Sequence, residues 1–134
     1  MASRGHGVRL VDEHGQALPL RVRRCDTFGC RLRGLTFRLR LAEDEGLLFV
    51  EPRESRLGTA IHMAFVFFRI GVVWLDGEGT VVDKVVARPF RPFYAPQAPA
   101  CYFLEGPPAL VSWVEVGERY TIEACTDEGV DGKG

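Results

Sequence analysis

The longest apolar stretch of the chain, Ile61–Leu75, runs straight into Asp76-Gly-Glu-Gly79, and no other segment restricts the fold as strongly. It is too short to cross a bilayer, and His62, Arg69 and Gly71 interrupt it. It therefore reads as buried sheet. The segment Ile61–Asp76 is long enough for two strands or one bent strand, with Arg69 and Gly71 offering a bulge or a bend. The Asp-Gly-Glu-Gly turn joins it to a hairpin partner at Thr80–Val86. A chain of 134 residues, 46% hydrophobic and 26% charged, can bury such a hairpin in one core.

The remaining elements follow from alternation and turn residues. Gly7–Val11 and Ala17–Arg24 flank Asp12–Gln16 and predict an N-terminal hairpin. Asp26 stands where an N-cap belongs and Gly34 where a C-cap glycine belongs, so Thr27–Arg33 is expected to form a short helix. Leu35–Leu41 alternates apolar residues with Arg38 and Arg40, the period of a strand with one wet face. Glu43–Gly46 predicts a turn, Leu47–Glu51 a strand and Pro52–Thr59 a polar loop. Pro89, Pro92, Pro96 and Pro99 make Ala87–Pro99 an extended segment bearing Phe90, Phe93 and Tyr94. Ala100–Glu105 and Arg119–Ala124 are further strands, with Pro107 opening a helical turn towards Val114. About eight short strands and two helical turns predict a mainly β domain over 1–125: a compact jelly-roll-like sandwich or partly closed barrel. The glycine-rich, acidic stretch 126–134 is expected to be a flexible tail.

The formal charge of −1 argues against a surface devoted to nucleic acid or acidic lipid. Charge is nevertheless uneven, because Asp26 is the sole acid within the arginine-rich stretch Arg21–Arg40. The N-terminal residues are polar and lack the apolar run of an export signal, so a soluble, cytoplasmic protein is expected. Of Cys25, Cys30, Cys101 and Cys125, only the first two approach metal-ligand spacing; the reading is buried small hydrophobes, no metal and no cofactor.

An ordered series, Gly34-Leu-Thr-Phe-Arg38, Gly46-Leu-Leu-Phe-Val50, Ile61-His-Met63, Val72-Val-Trp-Leu-Asp76, Gly79-x-Val81-Val82 and Tyr102-Phe-Leu-Glu105, with Val116-Gly-Glu118 after it, resembles the domain-of-unknown-function family numbered 192. The resemblance runs from about Cys25 to Ile122. It implies a jelly-roll-type β fold and no assigned activity. Many family members look secreted or lipid-anchored, a feature without a counterpart here. Met63 and Gly71 stand where the family usually has Thr and Asp, while His62, Asp76 and Glu105 match it.

His62 could serve as a base or ligand, with Asp76 or Glu105 to orient it, which would suit a small hydrolase or lyase. The plainer readings are a hydrogen-bonded strand histidine, an aspartate capping a turn, and a glutamate capping Arg119 or the turn after it. Arg38 and Arg40 could bind an anion or a nucleic-acid backbone. Their plainer reading is a solvated face paired with nearby acids. Phe90, Phe93 and Tyr94 are candidates either for partner recognition or for a lid over the core. No catalytic motif is present. The favoured reading is a non-catalytic binding or interaction module for a protein partner or small anionic ligand, with nucleic acid disfavoured and no membrane contact.

Overall fold

The computed structural model describes residues 7–25, 44–55, 68–89 and 94–124. Seven strands, β1 Gly7–Val11, β2 Arg21–Cys25, β3 Glu45–Ser55, β4 Ile70–Leu75, β5 Val81–Ala87, β6 Ala100–Gly106 and β7 Thr121–Ala124, form one sheet in the order β5-β4-β6-β3-β2-β1-β7. Among the described residues one short helix, α1 Leu110–Trp113, follows β6. All pairings among the described residues are antiparallel except β2 with β3.

Alternation along each strand divides the core in two. Leu10, Val22, Leu48, Val73, Leu75 and Leu104 point to one face, where Leu110 and Val114 of the helical segment plug the curve of the sheet. Leu47, Phe49, Val72, Trp74 and Phe103 point to the other, where Phe49 and Phe103 stack with centroids 4.7 Å apart. β4 is buried on both faces, which explains why its sequence is a continuous apolar run.

The sheet does not close strand to strand, yet its edges are tied at one end. Val81 N–H donates to Glu118 O, Gly117 N–H to Val81 O and Tyr120 N–H to Gly79 O, and Thr80 bridges Arg119. The result is a partly open barrel, the architecture expected from the sequence.

Several expected boundaries move. β3 starts at Glu45 and continues to Ser55, through the stretch expected to be loop; Pro52 is accommodated because the register with β6 shifts between Val50 and Ser55. Gly71 marks no bend. It is paired on both sides, and the irregularity of β4 lies at Trp74/Leu75. Its role is close approach: a Cβ there would lie 2.5 Å from Pro107 O and 3.1 Å from Leu110 Cβ. The expected helix Thr27–Arg33, the strand Leu35–Leu41 and residues 61–67 lie outside the described residues.

α1 has no side-chain cap at its start, and so short a helix leaves most of its carbonyls without intrahelical partners. Lys84, from β5, supplies the missing donors: Nζ reaches Val111 O and Val114 O at 2.8 Å each, with Glu115 Oε1 at 3.4 Å. Replacing Lys84 by Met is expected to cost about 2 kcal/mol, read from the urea midpoint, because two carbonyls lose a charged donor. An unchanged midpoint would show that water replaces the ammonium at no cost.

Candidate functional site

The tied end of the barrel carries two loops built on one plan. In Asp12-Glu-His-Gly-Gln16, Asp12 Oδ1 accepts from His14 N–H (2.8 Å) and Gln16 N–H (2.9 Å), and Gly15 has φ +83°. In Asp76-Gly-Glu-Gly-Thr80, Asp76 Oδ1 accepts from Glu78 N–H (2.9 Å) and Thr80 N–H (3.0 Å), and Gly79 has φ +88°. In each, the aspartate fixes the turn and the glycine takes the left-handed residue that side chains resist. Asp76 is thus a turn cap. Glu54 Oε2 anchors the second loop further by accepting from Gly77 N–H at 2.7 Å.

Between these loops lies an open groove of about 390 Å³. Gly77, Glu78 and Gly79 form one wall, Thr121 and Ile122 of β7 the other, and Glu13, Tyr102, Tyr120 and Arg119 complete it. Arg119 is the one cation among the described lining residues, and its Nε donates to Glu78 O at 3.1 Å. The carboxylates of Asp12, Asp76 and Glu54 are spent on backbone amides, and Glu118 accepts from the Tyr120 hydroxyl (3.1 Å) and Glu115 N–H (2.9 Å). Glu13 and Glu78 are exposed and make no side-chain bond among the described residues. The local field is negative. Burial first, then Glu118 and Asp12, raise the Tyr120 phenol; burial, then Glu54 and Asp76, raise the Cys101 thiol. That thiol donates to Glu51 O at 3.0 Å. Among the described residues no group of three His, Cys, Asp or Glu side chains could hold a metal ion.

Glu105 lies elsewhere. In β6 it faces Leu47 of β3 and Val72 of β4, on the face that carries Phe103. It is the one charged residue type buried among the described residues, 8% exposed, with no bonded partner there. Burial pushes its carboxyl up to about 8. It does not cap Arg119, whose Nε is bonded to Glu78 O. Arg23 sits in the same cross-strand row, beyond Leu47, so about 10 Å separates the two chains.

The sequence candidates do not converge as far as they are described. Asp76 follows β4 four residues after Val72, the partner of Glu105, so the two backbone positions are about 13 Å apart along the strand direction. Tyr94 packs on the Phe49–Phe103 core, and its hydroxyl accepts from Arg88 N–H at 2.9 Å. His62, Arg38, Arg40, Phe90 and Phe93 lie outside the described residues. Within the basic stretch, Arg21 pairs with Asp44 at 2.8 Å and 3.1 Å. Of the groove residues, Glu13 carries no sequence signal, Tyr102 enters only within the Tyr102-Phe-Leu-Glu105 pattern, and Arg119 only as a residue that Glu105 could cap. The signal available was the repeated Asp-x-x-Gly at 12–15 and 76–79, which marks two similar loops without saying that they meet.

Comparison with known proteins agrees with this architecture. A UPF0127 protein of Thermococcus kodakarensis is 39% identical over 104 residues, covering 78% of this chain and 64% of that protein, so this chain spans under two thirds of that relative's length. A UPF0127 protein of Pyrococcus furiosus is 38% identical over 107 residues, covering 78% of this chain and 89% of the relative. The fold is shared with a crystal structure of a protein of unknown function from Novosphingobium aromaticivorans, at TM-score 0.71 and 18% identity over 86% of this chain and 83% of that one. It is also shared with a candidate transcription regulator from Sinorhizobium meliloti, at TM-score 0.72 and 22% identity over 87% and 92%. Residues 9–122 match the model of the family described as "Uncharacterized ACR, COG1430" (DUF192), and the chain belongs to that uncharacterised family.

Proposed function

We propose that this chain is a non-catalytic binding module and that its ligand occupies the groove between the Asp12–Gln16 and Asp76–Thr80 loops. The carrying observation is the groove itself. It is open, of a volume usual for small-ligand sites, and lined by Tyr102 and by Glu13 and Glu78, whose carboxylates make no bond among the described residues. General acid–base work would want two titratable groups within hydrogen-bond reach of one reacting atom. Asp76 is spent on its turn, and its backbone position lies about 13 Å along the strand direction from that of Glu105. The negative field also turns this site away from phosphate, and so from a nucleic-acid backbone. A cytoplasmic setting suits the free thiol of Cys101.

Nitrogen–proton correlation spectra recorded while small polar molecules and short peptides are added provide the test. Binders are expected to move the amides of Gly77, Gly79, Thr121 and Ile122 first. Shifts confined to other surfaces would refute the assignment.

A further inference from the structure

We infer that the groove takes an extended peptide carrying basic side chains, which adds as a strand to the free edge of β7. The inference rests on the groove being the binding site and specifies its ligand.

The edge follows from hydrogen-bond parity. Tyr120 N–H donates to Gly79 O, and Glu118 O accepts from Val81 N–H, so the even-numbered residues of this segment turn their backbone groups away from β1. Val11 pairs with Thr121 and Leu10 with Ile122 on the other side. Backbone groups alternate direction along a strand, so Ile122 and Ala124 also present N–H and C=O away from β1. The partner that occupied this side up to Tyr120 is the start of β5, which turns back at Asp76–Thr80. From Ile122 onward the edge is therefore open among the described residues, and β7 ends the sheet order. The groove begins where the hairpin stops, lined by Thr121 and Ile122. An exposed edge of this kind offers a peptide main-chain bonds before any side chain is read.

Charge selects the peptide. Glu13 and Glu78 rise from opposite loops, both exposed and both unbonded among the described residues, and Arg119, the one cation of the described lining, is already bonded to Glu78 O. A strand laid along Ile122 on the side away from β1 runs past the Asp76–Thr80 loop that carries Glu78, with Glu13 across β7 on the β1 side of the groove. Lysine or arginine on its outer positions would meet carboxylates, and its stem could lie on the half-buried ring of Tyr102. An acidic strand would meet repulsion from Glu78 at close range and from Glu13 across β7.

The test uses a fluorescein-labelled pentapeptide alternating threonine with lysine, and its counterpart with glutamate, in fluorescence anisotropy against the full chain. The lysine peptide is expected to bind at least about tenfold tighter than the glutamate peptide. Its binding should weaken about tenfold in the Glu13→Gln, Glu78→Gln double variant, whose urea midpoint should match the parent's because both side chains are exposed and unbonded among the described residues. Methylating alternate backbone nitrogens of the lysine peptide should abolish binding in one frame and leave it intact in the other, the signature of strand pairing. Equal affinity for both peptides, indifference to both methylation frames, or no peptide binding at all would overturn the inference. If small polar molecules still move the Gly77 and Ile122 amides in those cases, the groove remains the binding site and only the peptide assignment fails.

Discussion

Unfolding free energy is expected to fall by about 1.4 kcal/mol per pH unit between about pH 4.5 and pH 8 through Glu105 alone, and the Glu105→Gln variant should remove that slope. The cause is burial. In the unfolded chain the carboxyl titrates near 4.5; in the sheet, between Leu47 and Val72 and without a counter-charge among the described residues, it holds its proton to about 8. Below the lower value both states are protonated and Glu105 costs nothing electrostatically. Between the two values the unfolded state has released a proton that the folded state still holds, so each step up in pH favours unfolding. Above about 8 both are ionised and the loss is complete, about 5 kcal/mol in all, a large share of the stability of a small domain. Urea titrations of both proteins at matched pH read the effect as a difference, which cancels every other titrating group. Parallel pH profiles for the two proteins would show that Glu105 is solvated in the folded state. Glutamine keeps the shape and cannot ionise, so the variant should be the more stable protein at pH 8.

Gly79→Ala is expected to cost about 3–5 kcal/mol, against about 1 kcal/mol for Gly15→Ala. The two glycines occupy the same place in two loops of one design, at φ +88° and +83°. An alanine at either must accept the left-handed conformation. They differ in surroundings. A Cβ on Gly15 meets nothing within 4 Å, whereas a Cβ on Gly79 would drive into Tyr120 O, the carbonyl of the segment that ties the barrel edge. The clash is with backbone, which cannot swing aside without breaking Tyr120 N–H to Gly79 O and Val81 N–H to Glu118 O. Equal urea midpoints for the two variants would show that conformational strain alone governs both sites. A larger loss at Gly79 with weakened protection of the Tyr120 and Val81 amides would locate the damage at the edge contact.

Both effects depend on neighbours that are remote along the chain. Leu47 and Val72 lie far from Glu105 in sequence, and Tyr120 lies far from Gly79. In Tyr102-Phe-Leu-Glu105, alternation assigns Glu105 to the face of Phe103, but whether that face is wet or buried at Glu105 depends on the strands either side. Pro52 shows the converse limit. Locally it signals loop, and the register shift between Val50 and Ser55 lets a strand pass through it. Gly71 likewise signals a bend by itself, and its need for close approach becomes visible only with Pro107 O and Leu110 beside it.

What the sequence by itself determined is local. The β class, the buried-sheet reading of the apolar run through Ile70–Leu75, the helical turn after Pro107 and the turns at Asp12–Gln16 and Asp76–Gly79 all follow from period, proline and glycine acting within a few residues. Family membership was also legible, in an ordered run of short patterns. The tertiary structure alone decided the parallel pairing of β2 with β3, the tie between 79–81 and 117–120, the groove this tie leaves beside Ile122, and the depth of Glu105. The physical reason is common to all four. Backbone hydrogen bonding and alternation state that a strand has two faces and two edges, but which partner fills an edge and which residues cover a face is set by non-local packing, where the burial free energy of the whole core selects one register.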